Sequence, residues 1–457
     1  GKGRRLVATR NIREGVTLLM EEPISHATRI DFRLKRCEWC LSSKQPIKRC
    51  SKCKLIGYCS RNCQVAAWKA YHKHECKCMV GLPKRLERLP ATALIAGRII
   101  LAGLSSGTDA KLPEISKSSP MEKGLAKVGK KAKIRDISLL DTLWEKKATE
   151  KKMYYAQQAM TLMNYLKPAI ASLTSAPTAN NMAALLSLLD ANSYVITDPE
   201  MDSIACGVYS VLSMINHSCS PNAIVMFRNK TGQLRTVKSI KKGEEICVSY
   251  LDLISTPRER RRNLLEQYHF ECQCSRCAIF FHEKKIKMSA DESMDEKLSK
   301  LLEGKEKSLE KVKSSLEAAK LGPSDSKRAL SLSRQALSEA KAVCGPYHAY
   351  VIRAYKQIWK QAMYASEMEI SWEYGRKTLP LLEFVYNSPN PVYAADILFH
   401  ARVCWYLQKV EEALEYYKKA AKVLKITHGE EDKMTKECHE RICVAQAEIA
   451  AKAQALQ

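Results

Sequence analysis

The sequence predicts an α+β protein: a strand-rich half, split by a zinc-binding block and a helical insert, followed by an all-helical half. Three observations carry this expectation. Eight candidate Cys and His ligands recur in spaced pairs between 37 and 76, short strand-and-turn segments flank a helical stretch, and a helical pattern repeats every 42 residues after about 285. At 457 residues the chain is too long for one ordinary core, so several domains are expected.

Residues 1–36 read as short strands, Leu6–Ala8 and Val16–Leu19, with Glu14-Gly15 as the turn between them. Residues 37–76 form the Cys/His block. Residues 77–190 are mostly helical in pattern, as in Ala91–Ile100, with a Ser/Gly/Lys-rich stretch near 103–135 that reads as a mobile basic loop. Residues 191–251 return to strands and turns, and 252–280 hold a second cysteine group. From 281 to 457 the pattern is helical: Ala329, Ser371 and Ala413 lie 42 residues apart, as do Ala336, Thr378 and Ala420. Small residues at one period suggest stacked helix pairs of tetratricopeptide type, built on a step longer than the usual ~34 residues.

Hydrophobic content of 46% with 27% charged residues describes a globular chain and excludes a disordered one. No apolar run reaches the roughly eighteen residues a membrane span needs, so no membrane partner is expected. The net charge of +26 is uneven, with 21 Lys/Arg against 7 Asp/Glu between Gly1 and Pro90. Such a field favours acidic partners, and weak DNA contact through the basic surface is one expectation. The 18 cysteines follow no secretory signal, and in a reducing compartment they serve more often as metal ligands than in disulfides.

The first block reads Cys37-x2-Cys40, Cys50-x2-Cys53, Cys59-x3-Cys63 and His72-x3-Cys76. Eight such ligands suit two tetrahedral Zn²⁺ ions, and a segment this short needs metal binding for its folding energy. The block resembles the MYND finger. That resemblance implies interleaved sets, with Cys37, Cys40, Cys59 and Cys63 on one ion and Cys50, Cys53, His72 and Cys76 on the other. The spacing to Cys76 favours His72 over His74. The resemblance also implies a proline-rich peptide partner; Lys48, Arg49, Lys52 and Lys54 read either as a solvated basic face or as a DNA contact.

Two further motifs stand about thirty residues apart: Asn216-His217-Ser218-Cys219 with Pro221-Asn222, and Gly243-Glu244-Glu245-Ile246-Cys247-Val248-Ser249-Tyr250. In this order they resemble the signatures of SET methyltransferases. The resemblance implies S-adenosylmethionine as cofactor, with Ser213, Asn216 and His217 among its contacts. It implies Tyr250 as the catalytic residue, a hydroxyl that touches the cofactor and orients the amine. Cys272-x-Cys274-x2-Cys277 offers three thiols and needs a fourth ligand. It resembles the post-SET segment, which implies Cys219 as that ligand, a third Zn²⁺, Phe270 stacked on adenine and Tyr268 lining the lysine channel.

Ala191-Asn192-Ser193-Tyr194 resembles the segment that implies a cofactor contact for Asn192 and a channel position for Tyr194; Tyr209 is placed in the channel with it. The opening Gly1–Ala8 stretch resembles the family's glycine-rich turn and implies cofactor contacts for Lys2 and Arg4, although Arg5 stands where the family has its second glycine. Outside these sets, Cys78, Cys206, Cys247, Cys344, Cys404, Cys438 and Cys443 are expected as small buried or unpaired thiols.

Together these features imply a monomeric, S-adenosylmethionine-dependent protein lysine N-methyltransferase of the nucleus and cytoplasm, acting on histone or other protein lysines. A second reading, marked by Arg5, is a SET-fold adaptor with little or no turnover that recruits proline-rich partners in transcriptional regulation.

Overall fold

The architecture is α+β, as expected. Strands β1 (Thr17–Glu21) and β2 (Ser25–Thr28) precede the Cys/His block, which holds the short pair β3 (Lys48–Arg49) and β4 (Gly57–Tyr58). After the helical insert come β5 (Ser193–Thr197), β6 (Ser203–Val208), β7 (Asn216–His217), β8 (Ala223–Arg228), β9 (Thr231–Thr236) and β10 (Cys247–Val248). The computed structural model describes residues 4–80, 82, 89–105, 134–171, 176–277 and 294–455. Lys2 and most of the Ser/Gly/Lys-rich stretch lie outside them.

Two antiparallel three-stranded sheets form, in the orders β1-β9-β8 and β2-β6-β5. The β8–β9 hairpin closes tightly because Asn229 accepts a positive φ of 55°, which short polar side chains tolerate. Strands β7 and β10 pair in parallel, Asn216 with Cys247 and His217 with Val248. That pairing brings the two sequence motifs side by side. Asn222 locks it: its Oδ1 accepts from the Cys247 amide at 2.9 Å and its Nδ2 donates to the Glu245 carbonyl at 2.9 Å.

Helices α1 (Arg61–Ala67) and α2 (Lys73–Met79) are joined through a π turn over Trp68–His72. Ser60 caps α1 by accepting from the Cys63 amide at 3.2 Å. The insert contributes α3 (Ala91–Ser105), α4 (Thr149–Ile170) and α5 (Ala179–Asn192), whose buried Leu94, Ile95, Ile99, Leu162, Leu166 and Leu185 share one core with Tyr58 and Tyr71 of the block.

A buried ionic knot ties these parts together. Arg98 of α3, 1% exposed, donates to Glu75 Oε1 at 2.7 Å, Glu38 Oε1 at 2.8 Å and the His26 carbonyl at 2.7 Å. Glu38 in turn accepts from the Thr28 amide of β2. Burial pushes the Glu75 carboxyl up, but Arg98 and then His72 bring it below its ordinary value. Arg98→Met would leave two buried carboxylates without their cation, so a loss of about 3–5 kcal/mol is expected in urea denaturation. A loss under about 1 kcal/mol would mean that the carboxylates find other partners.

Helix α6 (Pro257–Tyr268) opens with a capping box between Thr256 and Glu259 and stops at His269, φ 57°. The C-terminal lobe then runs through α7 (Met294–Ala318), α8 (Ser326–Val343), α9 (Ala349–Tyr364), α10 (Met368–Tyr386), α11 (Pro391–Tyr406), α12 (Val410–Thr427) and α13 (Lys433–Ala455). The 42-residue step falls on alternate helices: Ala329, Ser371 and Ala413 on α8, α10 and α12 are all 0% exposed, and so are Ala336, Thr378 and Ala420. Small side chains recur where helices cross closely, and that is why the period was visible.

Two arginines fasten this lobe to the strand-rich half. Arg353 of α9 donates to the Ile254 carbonyl at 2.9 Å and to Ser255 Oγ at 3.1 Å, and pairs with Glu259 at 3.3 Å. At the other end Arg235 of β9 donates to the Ile426 carbonyl of α12 at 3.2 Å. A cavity of about 820 Å³, lined on one side by Arg353, lies between the two halves. Among the described residues no helix is long and apolar enough to cross a membrane.

Candidate active site and metal centres

Three sets of four ligands converge: Cys37, Cys40, Cys59 and Cys63; Cys50, Cys53, His72 and Cys76; and Cys219, Cys272, Cys274 and Cys277. Within each set the ligand atoms lie within 4.8 Å of one another. Tetrahedral sites with Zn–S bonds of about 2.3 Å place neighbouring sulfurs about 3.8 Å apart. The observed separations match: 3.6 Å for Cys40–Cys59 and Cys59–Cys63, 3.9 Å for Cys50–Cys76, 3.8 Å from Cys53 to His72 Nε2, and 3.7 Å for Cys219–Cys277. All three sets fit a zinc-class ion.

Helical geometry sorts the first two sets. His72 and Cys76 lie four residues apart and share one face, whereas Cys63 sits a helix length away beside Cys59. His72, the histidine the spacing favoured, is the one that stands in the set: its Nε2 faces Cys53 while Nδ1 is held by Glu75 Oε2 at 2.7 Å. A carboxylate on the far nitrogen fixes the tautomer that a metal ligand needs. Sequence reasoning did not single out Glu75, though its place three residues after His72 was a readable signal.

The candidate active site is an aromatic cluster at the seam of β7, β10 and the end of α6. The rings of Tyr250 and Tyr268 are 4.7 Å apart, and Phe270 stands edge-on to Tyr250 at 6.5 Å and 87°. His217 lies 5.2 Å from Tyr250 and 6.1 Å from Phe270. The Tyr250 hydroxyl donates to the Ile215 carbonyl at 2.5 Å. Burial, followed by the neighbouring Tyr268, pushes its pKa up; burial pushes Tyr268 to about 12. Both phenols therefore stay protonated at physiological pH.

The other expected residues are distributed around this cluster. Asn216 spends its amide on the Arg4 carbonyl and Glu245 Oε1, both at 2.8 Å. His217 is turned toward protein: Nδ1 accepts from the Tyr250 amide at 2.9 Å and Nε2 lies 3.3 Å from Cys219 Sγ. Asn192 donates to the Asp141 and Leu188 carbonyls, and Ser213 Oγ donates to the Asn192 carbonyl at 2.7 Å. Arg4 is exposed and its guanidinium reaches the Leu139 carbonyl. Arg5 is absent from the positive-φ positions, so an arginine there carries no left-handed strain.

Tyr194 donates to the Leu212 carbonyl at 2.8 Å and lines the cavity between the halves. Tyr209 sits behind it, ring to ring at 6.0 Å, fully buried with its hydroxyl on the Lys230 carbonyl at 2.7 Å. Tyr209 thus backs the channel wall and does not line the cavity. Lys48, Arg49, Lys52 and Lys54 are exposed on the Cys/His block.

One organiser escaped the sequence reading. Glu21 of β1, 2% exposed, accepts from Ser210 N and Oγ at 2.7 and 2.6 Å, from Val211 N at 3.0 Å and from Leu212 N at 2.9 Å. It holds the turn that leads to Ile215 and Asn216. Its partners lie about 190 residues away, and no local pattern announces them. Glu21→Gln removes acceptor capacity from a buried turn, so an urea-measured loss of about 2–3 kcal/mol is expected. An unchanged midpoint would show that the turn stands without it.

The donor set also suits an S-adenosyl cofactor. Aromatic faces and a backbone carbonyl at Ile215 favour a sulfonium cation, and Phe270 offers a face for a purine. Residues 3–251 match the SET domain family. The human histone-lysine N-methyltransferase SMYD3 is 30% identical over 276 residues, covering 60% of this chain and 59% of its own. The Arabidopsis thaliana histone-lysine N-methyltransferase ASHR1 is 27% identical and is aligned over 100% of this chain and 96% of its own. Human SMYD2, an N-lysine methyltransferase, is 27% identical over 61% of this chain and 58% of its own. The alignments to SMYD3 and SMYD2 thus span under two thirds of those proteins. The chain belongs to the SET-domain family.

Proposed function

We propose that this protein transfers the methyl group of S-adenosylmethionine to the side-chain amine of lysine in a protein substrate, histone tails among the first to examine. The observation that carries this is the Tyr250 hydroxyl, protonated and anchored on the Ile215 carbonyl within an aromatic cluster. When bound, the cofactor supplies a sulfonium-activated methyl that moves in line to a neutral amine.

The protein's part is alignment and exclusion of water. The Tyr250 hydroxyl donates to Ile215, which leaves its oxygen lone pairs to receive an amine N–H. Tyr194, Tyr250 and Tyr268 present faces to a lysine stem and stabilise its cationic product. Asn216, Ser213, Asn192, Arg4 and Phe270 are the residues proposed to hold the cofactor, with His217 positioning Tyr250 through its backbone amide. Three zinc ions are proposed, two in the Cys/His block and one that ties Cys219 to Cys272, Cys274 and Cys277. The last holds Phe270 and Tyr268 beside Tyr250.

The test is label transfer from methyl-labelled S-adenosylmethionine to a panel of histones and cellular proteins, with cofactor binding followed by calorimetry. Transfer to lysine supports the reading. No transfer together with no measurable cofactor binding overturns it and leaves the protein-binding role of an adaptor.

A further inference from the structure

We infer that the C-terminal lobe holds a divalent metal ion of zinc's class between the imidazole of His400, the thiolate of Cys404 and the carboxylate of Glu412. His400 and Cys404 stand one helical turn apart on α11, and Glu412 lies in the first turn of α12. Their ligand atoms lie within 4.8 Å of one another. Imidazole, thiolate and carboxylate together suit a borderline cation such as Zn²⁺, and three protein ligands leave the fourth position to water.

A second observation points to a ligand here. His400 is 0% exposed, and neither ring nitrogen has a hydrogen-bond partner among the described residues. An imidazole buried with both nitrogens unpaired is costly, and a metal on one of them relieves that cost. The fold makes room for the ring: a Cβ on Gly375 of α10 would lie 2.2 Å from His400 Nδ1. Glycine inside a helix is disfavoured against alanine, and the close approach of His400 is a reason for it here. Trp359 and Tyr416 close around the ring edge-on, at 5.7 and 4.5 Å.

The surroundings suit a cation that arrives from solvent. The buried ring, with neither nitrogen hydrogen-bonded among the described residues, has a lone pair to offer an ion. The Glu412 side chain is 25% exposed and forms the mouth. Its carboxylate is oriented by Trp372 Nε1 at 2.9 Å and Arg376 Nε at 3.5 Å, the kind of outer contact that fixes metal ligands. On binding, the Cys404 thiol gives its proton to solvent and its sulfur bonds the ion. Thiolate and carboxylate then balance the double charge, while Arg376 remains outside.

The site is independent of the methyl-transfer reading, and so is its test. The full chain, Glu412→Gln and Cys404→Ala are each equilibrated with ZnCl2, desalted and counted for zinc by mass spectrometry, with affinities read by a chromophoric chelator. Glutamine keeps an acceptor for Trp372, and circular dichroism checks each fold. The expected result is one fewer zinc per chain in both variants, or at least tenfold weaker binding of one zinc. Equal counts and equal affinities overturn the site. Where Cys404→Ala fails to fold, the Glu412→Gln comparison decides alone.

Discussion

Tyr250→Phe is expected to lower kcat at least ~100-fold while leaving cofactor affinity within about threefold. Phenylalanine keeps the ring that packs on Tyr268, His217 and Phe270, so the cluster should persist. What disappears is the hydroxyl anchored on Ile215, to which the proposed function gives the orienting of the amine. Losing a preorganised hydrogen-bonding group at a reacting centre costs about 3–4 kcal/mol of transition-state stabilisation. Single-turnover label transfer with saturating cofactor measures this directly. A fall of less than about fivefold would assign orientation to backbone carbonyls instead. The pH profile follows from the same group. Burial raises the Tyr250 pKa, so its neutral form persists until pH passes that raised value. Activity should therefore climb with pH as the substrate lysine, with a free pKa of about 10.4, loses its proton. No downturn from Tyr250 is expected at neutral or mildly alkaline pH.

Removing metal should have the largest effect on structure. Structural zinc sites contribute roughly 10–16 kcal/mol of apparent binding energy at neutral pH, and a block of forty residues has little core to replace it. A strong chelator is expected to unfold residues 37–76 and, because Tyr58, Tyr71 and Cys76 share a core with α3 and α4, to lower the melting point of the insert as well. Acid should act alike, because protonated thiols do not hold zinc and the metal leaves as pH falls. Far-ultraviolet circular dichroism with zinc release as a second channel follows both. Unchanged ellipticity after complete metal removal would mean that packing alone sustains the block.

The sequence made these ligand sets readable because their pairs are local: Cys37 with Cys40, Cys59 with Cys63, His72 with Cys76. A spacing of three or four residues is a geometric statement in itself. The 42-residue period was readable for a similar reason, since small residues at helix crossings must recur with the helices. Direction was not readable. A motif shows that a histidine stands at 217, but not that both ring nitrogens turn toward Tyr250 and Cys219. It shows a tyrosine at 209, but not that Tyr194 stands between it and the cavity. Glu21 and Arg98 were invisible because their partners come from remote strands and helices, and a lone charged residue in sequence looks like surface. Cys404 read as a plain buried thiol because Glu412 meets it only across a helical hairpin.

The two arginines that bridge the halves have a mechanical consequence. Arg353 borders the trough and Arg235 ties the lobe to β9 elsewhere along the seam, so both guanidinium contacts oppose separation of its walls. Widening it means breaking at least one guanidinium contact and wetting what lies beneath. On the proposed function, a target reaches Tyr194 by laying a slender length of backbone into this trough. Flexible tails and loops can do so; a lysine on the flat face of a folded domain has to wait until local unfolding frees its segment.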